Sequence, residues 1–140
     1  MDNLEKWHAH IRGEYPGGLD ELLADDCVFL SPVVFTPQEG KEITKLYLGA
    51  AGATFSEGGD DASPGALKES KFRYTKEVAQ GNHTILEFET EIEGKYINGV
   101  DIITWNDDGK ISEFKVMVRP LQAVNMLHAK MKAMLEKMAG

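Results

Sequence analysis

A single carboxylate interrupts the most apolar strand-like run of this sequence, Ile97-Asn98-Gly99-Val100-Asp101-Ile102-Ile103-Thr104-Trp105. Period-two counting puts Asp101 on one face with Ile97, Gly99, Ile103 and Trp105. Val100, Ile102 and Thr104 occupy the other face, so neither side reads as wet. An ionised carboxylate there is costly unless paired, and burial raises its pKa. A neutral carboxylic acid in an apolar site donates a hydrogen bond to an oxygen that gains negative charge. A purely structural role is the competing reading: Asp101 tied to a buried tyrosine, a tryptophan N–H or a backbone group, or paired with Arg119 or Lys115.

The other reactive side chains are less promising. His8 and His10 lie two apart on a helical pattern and diverge, so they do not make a metal pair. His83 falls at a turn, and His128 lies near the apolar stripe of the last helix. Cys27 is the only cysteine and sits in an apolar run, which predicts a buried thiol without a disulfide. Asp60-Asp61 lacks calcium-loop spacing. No nucleophile elbow, P-loop or dinucleotide glycine fingerprint occurs. No metal or cofactor is expected.

The elements that must position Asp101 follow from periodicity. Leu4, Trp7, His8, Ile11 and Tyr15 predict an amphipathic helix ending before Pro16-Gly17-Gly18, and Leu19, Leu22 and Leu23 a second, short one. Cys27 to Leu30 is a short apolar strand stopped by Ser31-Pro32. Thr36-Pro37-Gln38-Glu39 has the form of a capping box, ahead of a helix carrying Ile43, Leu46, Tyr47 and Ala50. Residues 49–66 have no pattern and read as a flexible connector or a lid. Phe72, Tyr74 and Val78 are expected on one face of a strand. In the next, Thr84, Leu86, Phe88, Thr90 and Ile92 oppose Glu87, Glu89, Glu91 and Glu93, the mark of one packed and one wet face. Asp107-Asp108-Gly109 is a hairpin signal. Phe114, Val116 and Val118 alternate with Glu113, Lys115 and Arg119. Pro120 opens a final helix striped by Leu121, Val124, Leu127, Met131, Leu135 and Met138, read as core or dimer packing.

A chain of 140 residues suits one domain, spanning 1–140, of α+β type. Its net charge of −8 and lack of a basic stripe disfavour nucleic acid. No run approaches a membrane span, and no secretory leader is visible, so a cytoplasmic protein is expected.

Several strings resemble proteins of the nuclear transport factor 2-like superfamily. They are Ala24-Asp25-Asp26-Cys27-Val28-Phe29-Leu30-Ser31-Pro32, Gly40-Lys41-Glu42-Ile43, Gly99-Val100-Asp101-Ile102-Ile103 and Asp108-Gly109-Lys110-Ile111. The similarity spans nearly the whole chain and is greatest to the SnoaL-like group. It implies a cone: a curved antiparallel sheet packed on N-terminal helices, with a C-terminal helix, a central pocket and a homodimer through the sheet. By comparison with ketosteroid isomerases, it gives Asp101 the role of oxyanion donor and Tyr47 that of supporting tyrosine. The general base of those enzymes is Ser31 here, and their first-helix tyrosine falls near Trp7. The limonene epoxide hydrolase pattern fails at Val116.

The resulting expectation is a pocket lined by Leu86, Phe88, Thr90, Phe114, Val116 and Val118, with Trp7, Phe29, Ser31 and Tyr47 at its rim or wall. Its occupant would be a small, mostly apolar molecule bearing a carbonyl. Three functional classes remain open: an isomerase or cyclase using Asp101 as acid, a non-catalytic binder, and a dimeric interaction module.

Overall fold

A computed structural model describes residues 2–55 and 71–139. In chain order the elements are α1 (Asn3–Ile11), α2 (Gly18–Leu22), β1 (Leu23–Leu30), β2 (Gln38–Glu39), α3 (Lys41–Phe55), β3 (Arg73–Gln80), β4 (His83–Ile92), β5 (Lys95–Trp105), β6 (Ile111–Arg119) and α4 (Leu121–Ala139). The strands form one six-stranded curved sheet, ordered β2-β1-β6-β5-β4-β3, which does not close into a barrel. The α+β architecture is as expected, with one difference in the sheet. Strands β3 to β6 make an antiparallel meander, but β1 joins β6 in parallel, so the sheet is mixed.

The inner face of the sheet carries the core. In β4, Thr84, Leu86, Phe88, Thr90 and Ile92 are all buried, as their alternation with glutamates requires. A first cluster gathers Trp7, Leu22, Leu23, Cys27, Phe29, Leu86, Ile103, Trp105, Ile111 and Phe114 beneath α1 and α2. A second joins Phe55, Phe88, Ile92, Ile97 and Leu127 where α3 and α4 cross the sheet. Trp105, in the first cluster, is satisfied there, its Nε1–H donating to Thr84 Oγ1 at 3.1 Å. Cys27 is a buried free thiol.

Local differences from the sequence reading have identifiable causes. Helix α1 stops at Ile11, because Gly13 takes a φ of 76° and the amides of Arg12, Gly13 and Glu14 fold back onto the carbonyls of His8, His10 and Ala9. Tyr15 therefore lies beyond the helix, although it still packs on the core. The Thr36–Glu39 segment is no capping box: Gln38 and Glu39 pair with Phe29 and Val28 as β2. Gly40, at a φ of 109°, starts α3 instead. That helix runs on to Phe55, so residues 49–55 are helical rather than loop, and residues 56–66 of that segment, with Asp60-Asp61, lie outside the described residues. In β3 the pairing register shifts between Tyr74 and Lys76. This extra residue reverses the alternation, leaving Tyr74 inside and turning Val78 to the outer face, 57% exposed. No helix among the described residues is long and apolar enough to cross a membrane.

Candidate active site

Asp101 sits mid-strand in β5, opposite Leu86 of β4 and Val116 of β6. Its neighbours in the sheet are apolar, and the residue is only 7% exposed. Arg119 and Lys115 do not reach it. They occupy the outer face, where Arg119 donates to Asn98 Oδ1 at 3.2 Å and Asn98 in turn donates to Glu87 Oε2 at 2.9 Å.

The partner of Asp101 comes from two strands away. Tyr74 of β3 donates its hydroxyl to Asp101 Oδ2 at 2.8 Å. Trp7 of α1 donates its indole N–H to the same hydroxyl oxygen at 2.9 Å. The result is a directed chain, Trp7 to Tyr74 to Asp101, tying helix to sheet through buried hydrogen bonds. Among the described residues no donor is placed on Asp101 Oδ1. Burial pushes the Asp101 carboxyl up to about 7, against the opposing pull of the Tyr74 hydrogen bond. The Tyr74 hydroxyl is itself held well above its ordinary value, first by burial and then by the negative charge of Asp101, so it stays protonated.

Asp101 opens onto a cavity of about 100 Å³, walled by Trp7, His10, Phe29, Phe114, Val116 and Leu127, among others. Ser31, Pro32 and Val33 also line it, as do Ala51, Gly52 and Phe55 of α3. The Ser31 hydroxyl oxygen accepts the Val33 amide at 3.1 Å, a local turn that fixes the loop.

Of the residues the sequence nominates, Asp101, Trp7, Phe29, Ser31, Phe114 and Val116 meet around this cavity. Tyr47, Leu86, Phe88, Thr90 and Val118 are not on its wall. Tyr47 faces Phe29, ring centroids 5.4 Å apart, and makes no hydrogen bond with Asp101; Tyr74 occupies the supporting position. Leu86 and Phe88 are on the expected face but filled in, Phe88 stacking on Phe72 at 5.0 Å. Val118 packs into the same aromatic cluster. Thr90 is buried with its hydroxyl unpaired.

Two polar wall residues escaped the sequence reading. Tyr74 was legible as an inward residue of its strand, but pairing it with Asp101 requires the order of the strands. His10 was legible as lying beside Trp7 and Ile11 on the apolar stripe of α1, a signal that spacing to His8 obscured. His8 turns outward to a side-chain hydrogen bond with Glu77. His10 turns inward, its ring 5.1 Å from Trp7, and burial lowers its pKa to about 4.

No family model matches the sequence, and no curated protein does. Solved structures do match. A steroid delta-isomerase from Pseudomonas aeruginosa is 28% identical over 98% of this chain and 91% of its own, with a TM-score of 0.77. Close to it is a bacterial protein with a cystatin-like fold from Silicibacter pomeroyi, 27% identical over 94% of this chain and 83% of its own, TM-score 0.76. A SnoaL-like family protein from Agrobacterium tumefaciens superposes at a TM-score of 0.55 with 14% identity, covering 84% of this chain and 95% of its own. The chain has the nuclear transport factor 2-like fold. A SnoaL-like family protein is thus among the structural neighbours of this fold. In it, a curved sheet and its covering helices enclose the cavity onto which Asp101 faces.

Proposed function

We propose that this protein binds a small, mostly apolar molecule through its carbonyl oxygen, and that neutral Asp101 donates the hydrogen bond that holds and polarises it. The observation that carries this reading is the asymmetry of the Asp101 carboxyl. Oδ2 is held by Tyr74, while Oδ1 has no protein donor and its residue faces an apolar cavity. A carboxyl held near a pKa of 7 by burial carries its proton below that pH and offers it to an acceptor. Chemistry of the isomerase or cyclase type, in which a carbonyl oxygen gains negative charge, is the activity such a donor supports. The likeness to a steroid delta-isomerase favours it. A non-catalytic binder uses the same pocket and differs only in lacking a proton acceptor near the ligand carbon.

Cyclohex-3-enone separates these outcomes, because its conversion to the conjugated enone is visible in the ultraviolet and its binding is visible by NMR. The expected result is binding that weakens about tenfold per pH unit above about pH 7, as Asp101 loses its proton, and that Asp101→Leu abolishes. Turnover on top of binding identifies an isomerase, and binding alone a carrier. Binding that is unaffected by pH and by Asp101→Leu refutes the role given to Asp101.

The same reading includes a homodimer and a cytoplasmic setting. Val78, Ile85 and Met117 form an exposed apolar patch on the outer sheet face, rimmed by Lys76, Glu87 and Arg119, which suits a second copy of the chain. A buried, unpaired Cys27 suits a reducing compartment.

A further inference from the structure

Asp101 is one of two ionisable side chains that face the cavity with hydrogen-bonding capacity unused. Trp7 and Tyr74 are spent on each other and on Asp101, and the Ser31 oxygen is engaged by the Val33 amide. The other is His10. Its ring is on the cavity wall and packs at a 40° tilt on Trp7, and among the described residues no protein group hydrogen-bonds either of its nitrogens. The ring is half-buried, so its unpaired nitrogens are open to a ligand group that takes the place of solvent. Because burial keeps it uncharged, it presents one N–H donor and one bare acceptor, matching a hydroxyl, which both gives and takes a hydrogen bond. The same depression makes His10 a weak base, so its role is to hold a ligand rather than take a proton from it.

We propose that His10 is a ligand-positioning residue, and that the cavity takes a hydroxy ketone: a single-ring or short-chain apolar body whose carbonyl meets Asp101 and whose hydroxyl meets His10. The inference rests on the reading of Asp101 given above and adds the second functional group of the ligand. A cavity of about 100 Å³ limits the body to about one ring. Two separated polar contacts across an apolar wall fix orientation as well as identity.

Acetophenone and 3-hydroxyacetophenone, which differ by one hydroxyl, test the pair directly. Wild-type protein is expected to bind the hydroxy ketone roughly 3- to 10-fold more tightly, the worth of one added hydrogen bond. His10→Phe should bring the two ketones level, and His10→Gln, which keeps a donor and an acceptor, should restore part of the preference. In wild-type protein labelled with ¹⁵N-histidine, the His10 ring nitrogens should shift with the hydroxy ketone and not with acetophenone. This last measurement decides the matter even if His10→Phe fails to fold. Equal binding of both ketones, or a preference that survives in both variants, overturns the assignment of His10 and leaves that of Asp101 standing. Failure of both ketones to bind wild-type protein overturns both assignments.

Discussion

Buried Asp101 and half-buried His10 face one cavity, and their stability contributions run in opposite directions with pH. Asp101 keeps its proton to about pH 7 in the folded chain, whereas the unfolded chain loses it near 3.8. The folded state is thus the better proton binder between those values, and stability from this group falls as pH rises through them, by about 4 kcal/mol in all. His10 behaves inversely: folded, it releases its proton near 4 instead of 6.5, so its contribution grows as pH rises across that window. Urea unfolding of Asp101→Asn beside the wild type should therefore show an advantage for the variant that widens from about pH 4 to about pH 7. His10→Gln should show an advantage that is largest at about pH 4 and shrinks by about pH 6.5. A constant offset in both comparisons would mean that the two groups titrate normally and that the cavity is wet.

Asp101 depends on its strand lying close against its neighbours, and Gly99, two residues earlier, makes that contact possible. Phe88 lies directly opposite Gly99, and a Cβ built there would come within 2.4 Å of the Phe88 ring and 2.7 Å of the Met117 carbonyl oxygen. Gly99→Ala should cost about 1–3 kcal/mol of unfolding free energy, through displacement of the Phe88 ring from Phe72 and Phe55. An unchanged urea midpoint would show that the aromatic cluster is loosely packed. This close approach was half visible in the sequence. Alternation identified the inner faces of β4 and β5 and set Asp101 among apolar residues, since side-chain period is a local property. What the sequence did not show is how strands meet: the bulge after Tyr74 that turned Val78 outward, and the filling of the space beside Phe88, which took Leu86, Phe88 and Val118 off the cavity wall. Tyr47 against Tyr74 is the same lesson. Each is an aromatic hydroxyl on an amphipathic element, and only the arrangement of β3, β4 and β5 decides which one reaches Asp101.

Across the molecule, the sheet has one face committed to the cavity and one that offers apolar area to a partner. If the outer face pairs two copies, Met117→Glu or Val78→Lys should convert a dimer to a monomer in sedimentation experiments without altering the cavity, since both side chains are about half exposed. A wild-type protein that sediments as a monomer at high concentration would exclude this arrangement. The parallel seam between β1 and β6 has a different consequence, one of timing. The meander β3 to β6 assembles from strands adjacent in the chain, but Phe29 must find Phe114, and Leu23 must find Ile111, across most of the sequence. Contacts so distant are slow to form because the loop they close loses much conformational freedom. The floor carrying Asp101 can thus assemble before β1 closes against its edge, so a refolding chain holds its acid before it holds a cavity.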